Sequence, residues 1–262
     1  TQDMSLPPFP LALVDALRQA RRVAVLTGAG ISAESGVPTF REAQTGLWAQ
    51  YDPAELATPG AFQRQPRLVW EWYAWRRELV TQAQPNPGHL ALVTMEQRIP
   101  DFTLITQNVD GLHARAGSQH IIELHGNITR SRCSADGRII PTWSPTNEVP
   151  PRCPHCGSYL RPDVVWFGES LPYTALETAV TTARTCDVFL AIGTSAIVQP
   201  AASLPLEARQ AGATTVEINP QRTPISRYVT FVVNGPAGEI LPQLVQTVWP
   251  DAETPASSEI FT

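Results

Sequence analysis

Short apolar runs recur along the chain at 23–26, 102–105, 186–192, 214–218 and 228–233, alternating with helical patterns at 66–82, 88–98, 173–184 and 237–248. Runs that are apolar at every position read as strands covered on both faces. Their alternation with helices predicts an α/β fold on a doubly wound, Rossmann-like parallel sheet. Ahead of the first run, Leu11, Val14 and Leu17 recur at helical spacing after Pro8 and predict a helix to about Arg21. The stretch 127–165 breaks the alternation, with three of the four cysteines, several prolines and no long helical pattern. It reads as a small inserted module that divides the sheet domain into 8–126 and 166–248, and 249–262 reads as a polar tail.

Composition narrows the class. At 262 residues, 43% hydrophobic and 16% charged, the chain can bury a sizeable core in one or two domains. No stretch approaches the roughly eighteen apolar residues of a membrane span, and the start lacks the basic cluster and apolar run of a secretory leader. A cytoplasmic protein without a membrane partner is expected. A net charge of −5 opposes general affinity for nucleic acid, so no specific nucleic-acid partner is expected either.

Candidate chemistry begins directly after the first apolar run, at Gly28-Ala29-Gly30-Ile31-Ser32-Ala33. A glycine-rich strand-to-helix turn lets backbone approach a pyrophosphate, although many such turns are only tight turns. A dehydrogenase would next show a strand ending in Asp or Glu about twenty residues on. Here Gly36 to Tyr51 is instead a loop rich in Gln, Gly and aromatics, which suggests a flap over a ligand. The second motif, Thr106-Gln107-Asn108-Val109-Asp110-Gly111-Leu112-His113, follows the run at 102–105 and so falls on the ligand-binding edge of an open sheet. Its amides and carboxylate suit an amide and a ribose, or simply cap the next helix. His125, flanked by Gly126 at the end of Ile121-Ile122-Glu123-Leu124, is the leading general-base candidate, ahead of His89, His113, His120 and His155.

In the inserted module, Cys133 and Cys153-Pro154-His155-Cys156-Gly157 have the spacing of a zinc knuckle, giving Cys133, Cys153 and Cys156 as metal ligands and a zinc-ribbon-like module. A closed structural site has four ligands, and Asp136, His155 or water could complete it. A degenerate loop holding little or no metal is the plainer reading. Cys186 reads as a buried strand residue.

Together these segments resemble the sirtuins, the NAD-dependent protein deacylases, in the family's order from about Arg22 to Val248. The matching pieces are GAGISAESGVPTFR at 28–41, TQNVDGLH at 106–113, His125-Gly126, VVWFGE at 164–169, GTS at 193–195 and INP at 218–220. The resemblance implies a first group of NAD contacts from Gly28, Ala29, Gly30, Ser32, Thr39, Phe40, Arg41, Gln107, Asn108, Val109 and Asp110. Gly193, Thr194 and Ser195 would meet the cofactor's phosphate and ribose portion; Asn219, Pro220, Gln221 and Ala237 would meet its adenosine end. It also implies that Val165, Trp166, Phe167, Gly168 and Glu169 flank a peptide carrying an acylated lysine, making acylated proteins the substrates, and that zinc is structural. The implied reaction consumes NAD: the acyl oxygen displaces nicotinamide from ribose, His125 accepts a proton relayed from the ribose hydroxyls, and O-acyl-ADP-ribose leaves with the acyl group. Asn108 would hold the reactive pose. A dehydrogenase, a zinc-ribbon binding module and an ADP-ribosyltransferase are the competing functions.

Thr39 stands where many sirtuins have Asp, a departure that resembles the branch acting on acidic acyl groups. Tyr73 and Arg76, three apart in the 66–82 pattern, share a helix face and offer a hydroxyl and a planar fork to a carboxylate. They match the Tyr-x-x-Arg pair of desuccinylase-type sirtuins, which implies removal of succinyl, malonyl or glutaryl as well as acetyl groups. Small Ala61 would widen the acyl pocket. A plainer account makes Trp72 and Arg76 an exposed cation–aromatic pair.

Overall fold

In the computed structural model, residues 9–39, 48–144 and 146–252 are described. Eight strands occur among them: β1 (Arg22–Thr27), β2 (Asp101–Thr106), β3 (Ile121–Glu123), β4 (Gly126–Cys133), β5 (Leu160–Val164), β6 (Val188–Ile192), β7 (Thr214–Asn219) and β8 (Phe231–Asn234). Six of them form one parallel sheet in the order β3-β2-β1-β6-β7-β8. Counted within that sheet this is the doubly wound 3-2-1-4-5-6 arrangement, and chain direction across the sheet reverses between β1 and β6.

Alternation along β1 shows why its run is apolar throughout. Val23 and Val25 join the core on one face with Leu13, Leu17, Leu92 and Leu241, from α1 (Leu11–Gln19), α5 (Pro87–Arg98) and α9 (Ala237–Val248). Ala24 and Leu26 face the other way, towards Ala179, Ala183, Leu204 and Ala208 of α7 (Tyr173–Thr185) and α8 (Leu204–Gln210). Both faces are covered, so no position on the strand can be polar without a buried partner.

Several element boundaries differ from expectation for local reasons. α1 ends at Gln19 because Ala20 is extended and the Arg21 amide donates to Asp187. Its buried stripe is Leu13, Val14 and Leu17, while Leu11 is 66% exposed. Cys186 is not in a strand: it caps α7 and is buried there, its thiol on the Ala183 carbonyl at 3.2 Å. β8 starts three residues late, because Tyr228 closes a turn onto Ile225. Two short helices escaped the periodicity reading, α2 (Pro53–Leu56) and α3 (Pro59–Arg64). Both start as Asp52-Pro53 and Thr58-Pro59, where a side chain caps the amide of Ala54 or Ala61 and proline takes the first turn.

The helix α4 (Pro66–Gln82) packs away from the sheet. Val69, Trp72 and Tyr73 share a core with Leu56, Phe62, Ile128, Val164 and Trp166, so the 53–82 helices and the antiparallel pair β4–β5 are built on common apolar side chains.

Under the carboxyl ends of β1 and β2 lies a buried polar layer. Thr27 donates to Thr106 at 2.8 Å, and the His113 Nε2 is 2.9 Å from the same Thr27 hydroxyl. The His89 ring centre lies 4.9 Å from that of His113, with the rings tilted by 58°; His89 accepts the Asn86 amide at Nδ1 and lies at Nε2 3.4 Å from the Ser32 hydroxyl. Burial holds both imidazoles neutral, pushing His89 down to about 4 and His113 well below the usual range. The unfolded chain therefore takes up protons first as pH falls below about 6.5. Stability contributed by the pair is complete above that pH and falls as pH drops through it, the His89 part being lost on the way down to about 4. The loss has an upper slope of about 1.4 kcal/mol per pH unit for each group. Urea midpoints measured from pH 7.5 to 4.5 are expected to fall below 6.5; a flat profile contradicts the neutral pair.

Candidate active site

The reversal between β1 and β6 opens a crevice at the carboxyl edge of the sheet, and the loops leaving these strands meet there at backbone distance. Gly30 N donates to the Gly193 carbonyl at 2.8 Å, and Gly28 N to that of Ile192 at 3.0 Å. A Cβ on Gly28 would fall 2.7 Å from Gly193 O, and one on Gly193 would fall 2.5 Å from Ile31 N, with φ at +60°. The glycines thus answer first to the contact between the two loops, which aligns Ala29 and Ser195, both exposed, at the mouth of the crevice.

Beyond that contact runs a series of hydrogen bonds. Gln107 Oε1 accepts the Thr194 hydroxyl at 2.9 Å, and the Thr194 carbonyl accepts Asn219 Nδ2 at 2.7 Å. Asn108 is buried, its Nδ2 donating to Gly28 O at 3.0 Å and lying 3.3 Å from Ser32 Oγ. Asp110 accepts the Ser32 hydroxyl at 2.7 Å on one oxygen and, from just before the Gly111 N-cap of α6 (Leu112–Ala116), takes the Leu112 amide at 2.9 Å on the other. Holding the helix start and placement in the crevice coexist in one residue. Burial raises the Asp110 carboxyl and these two donors oppose the rise.

His125 follows β3 and is half-buried, its Nδ1 3.0 Å from the Gln107 carbonyl. A carbonyl only accepts, so Nδ1 carries the proton and Nε2 presents a lone pair. Burial lowers this imidazole below its usual value, against the Gln107 carbonyl, which raises it. Gly126 has φ +83° and lies against the Asp163 carbonyl of β5, so the space beside the imidazole is taken by backbone of the smaller sheet.

The 165–169 segment starts where Val165 N donates to His125 O at 2.9 Å and is tied by Phe167 N to Ala57 O at 2.9 Å. Phe167 is 50% exposed, whereas Trp166 is buried and donates its indole N–H to the Tyr73 hydroxyl at 3.0 Å. Glu169 turns inward, its carboxylate gripping Arg161 at 2.6 and 2.9 Å and taking the Trp166 amide at 2.8 Å, and Gly168 turns the loop with φ +86°. Glu169 therefore holds the loop's shape. Tyr73, pushed up to about 12 mainly by burial, is a neutral phenol. The Arg76 guanidinium lies one turn on, 4.9 Å from the Trp72 ring centroid. The Trp72–Arg76 contact exists, but on a buried Trp72 and not as an exposed pair.

Of the other expected cofactor residues, Val109 is half-buried, Ala237 is buried at the start of α9, and Pro220 and Gln221 are exposed after β7. Thr39 is half-buried; Phe40 and Arg41, with the middle of the proposed flap, lie outside the described residues. Glu34 is a residue that motif reading passed over: its carboxylate accepts the Gly238 amide at 2.6 Å, seating the start of α9 beside the glycine turn. Nothing local marks it, since its partner is 204 residues away.

In the smaller unit, the sulfurs of Cys133, Cys153 and Cys156 lie within 4.8 Å of one another, with Cys133 and Cys156 3.5 Å apart. Two sulfurs at 2.3 Å from one tetrahedral zinc would be about 3.8 Å apart, so the trio fits three corners of such a site.

Residues 28–200 match the Sir2 family. The chain is 52% identical over 236 residues to NAD-dependent protein deacylase 2 of Pyrobaculum aerophilum, covering 90% of this chain and 94% of that protein. It superposes on a Sir2 homologue in complex with NAD at TM-score 0.86 and 46% identity, covering 92% and 94% of the two chains. A mutant Sir2 homologue bound to 2'-O-acetyl ADP ribose gives 0.84 and 46%, covering 92% and 96%. The match runs through the glycine turn, the Gln107–Asp110 edge, His125 and the 165–169 loop, so the chain belongs to the Sir2 family.

Proposed function

We propose that the protein is an NAD-dependent protein-lysine deacylase, with acylated proteins as substrates and a preference for acyl groups that end in a carboxylate. The observation that carries the activity is His125, whose Nδ1 bond to the Gln107 carbonyl leaves Nε2 free to take a proton at the sheet edge. The sheet edge suits a dinucleotide: the turn at Gly28 and Gly30 carries no side chain to keep a pyrophosphate away, with the Asn219 amide beside Thr194 and Ala237 at the start of α9. Bound NAD would supply the electrophilic ribose carbon, lose nicotinamide and carry the acyl group away as O-acyl-ADP-ribose. Asn108, Ser32 and Asp110, already bonded to one another and to Gly28, orient that end without reorganisation. Val165 is joined to His125 through its amide and exposed Phe167 follows it, so we assign the extended acyl-lysine peptide to this segment.

Acyl preference rests on Tyr73 and Arg76. The Tyr73 oxygen accepts the Trp166 indole proton, so its own hydroxyl proton is available to donate elsewhere. A buried guanidinium one turn away adds charge at a place where a carboxylate would be desolvated and strongly held. Among the described residues no helix is long and apolar enough to cross a membrane. Four free cysteines, three of them arranged for metal, suit the reducing cytoplasm that we assign.

Two outcomes test this reading. His125→Ala is expected to lower kcat/KM for deacylation by about a hundredfold to ten-thousandfold without loss of fold. Because burial lowers the imidazole, the acid limb of the wild-type pH–rate profile is expected to inflect below 6.5; turnover of His125→Ala within threefold of wild type refutes the assignment. Arg76→Met is expected to cost roughly tenfold to over a hundredfold in kcat/KM on succinyl-lysine peptide and little on acetyl-lysine peptide, followed by peptide mass and nicotinamide release. Equal losses on both peptides, or a wild type far faster on acetyl, defeat the acidic-acyl preference and leave the deacylase reading standing.

A further inference from the structure

The two ends of the cysteine cluster are built alike. In the first, Cys133 N donates to Arg138 O at 2.8 Å and Gly137 N to Cys133 O at 3.0 Å, with Gly137 at φ +73°. In the second, Cys153 N donates to Ser158 O at 2.7 Å and Gly157 N to Cys153 O at 2.9 Å, with Gly157 at φ +75°. The sequences Cys133-Ser134-Ala135-Asp136-Gly137-Arg138 and Cys153-Pro154-His155-Cys156-Gly157-Ser158 therefore form the same turn residue by residue. In that equivalence Asp136 occupies the place of Cys156, the residue that sends its sulfur into the cluster.

From this correspondence we infer that Asp136 is the fourth ligand of a three-thiolate, one-carboxylate zinc site. Its turn begins at Cys133, one of the three clustered sulfurs, so rotation of its side chain would bring a carboxylate oxygen to the fourth corner. One oxygen accepts the Arg138 amide at 2.9 Å, which anchors the side chain while the carboxylate can rotate to bring an oxygen to the metal. His155 stands at the place of Ala135, a position that the first turn uses through its amide, which approaches the Cys133 sulfur at 3.4 Å, and so the equivalence favours Asp136. A carboxylate keeps the ligand charge of a fourth thiolate, so three thiolates and Asp136 balance zinc as four thiolates would. It is the harder and weaker donor for zinc, which makes this site easier to strip than a four-cysteine one.

Metal analysis and Co(II) spectroscopy on the full chain test the assignment without recourse to activity. Wild type is expected to hold one zinc per chain against a graded chelator. Asp136→Ala is expected to lose it at least about tenfold more readily, the lower limit for disturbing even an outer-shell partner. Asp136→Cys is expected to bind more tightly than wild type and to move the d–d bands of bound Co(II) to the pattern of four thiolates, and His155→Ala to match wild type throughout. Should Asp136→Ala fail to fold, the Asp136→Cys comparison still decides. Wild-type protein without zinc or Co(II) uptake overturns the proposal. So does Asp136→Ala with wild-type affinity and spectrum, Asp136→Cys with an unchanged spectrum, or loss of metal on His155→Ala.

Discussion

Everything at the crevice depends on the contact of two glycine-bearing loops where the sheet reverses direction. Gly28 and Gly30 leave β1, Gly193 leaves β6, and their backbones approach more closely than any side chain at these positions would permit. Alanine at Gly193 would need both a left-handed backbone and the space held by Ile31 N. With the loops closed, Asn108 reaches the Gly28 carbonyl, and a line of hydrogen bonds runs from His125 through Gln107 and Thr194 to Asn219. The groups at the sheet edge are thus spaced by backbone contact and not by side-chain length. That is the preorganisation a transfer reaction requires of residues that orient rather than react.

The smaller unit contributes by being stiff at its joint with the sheet. Gly126 lets β4 leave directly after His125 against the Asp163 carbonyl, and Val165 returns to bond the His125 carbonyl. Arg161 lies 3.4 Å from the Trp166 ring centroid and grips Glu169, so the turn exposing Phe167 is held at both ends. Tyr73 and Arg76 reach this same place from α4, which packs against the smaller unit through Trp72 alongside Phe62 of α3. The cysteine cluster lies farther along β4 and β5, among Trp70, Ile140 and Leu160, and has the character of a brace for that unit.

Much of this was legible along the chain. Val23 to Leu26, apolar at every position, could only be a strand covered on both sides, and His125 next to a glycine at the end of such a run marked the base candidate. The Tyr73–Arg76 spacing survived as a helical pair. What failed did so for tertiary reasons: Leu11 lies on the helical repeat yet faces out, because core contact selects Leu13 and Leu17 from the same turns. The role of Glu169 within the peptide-flanking motif was not legible, because the Arg161 that takes its carboxylate is met only in the folded chain.

By itself the sequence determined the element types, the order of the strands' motifs and the residue types present at the crevice, since periodicity and short-range spacing are local properties. Only the folded chain decided which of those residues meet. The Nδ1 tautomer of His125 depends on the Gln107 carbonyl, the direction of the Tyr73 hydroxyl on Trp166, and the equivalence of Asp136 with Cys156 on two matching sets of backbone hydrogen bonds. Each involves partners distant in sequence, or backbone hydrogen bonds that only the folded chain shows to match. Hydrogen-bond direction and burial, which set these properties, exist only once the sheet and the smaller unit have closed on one another.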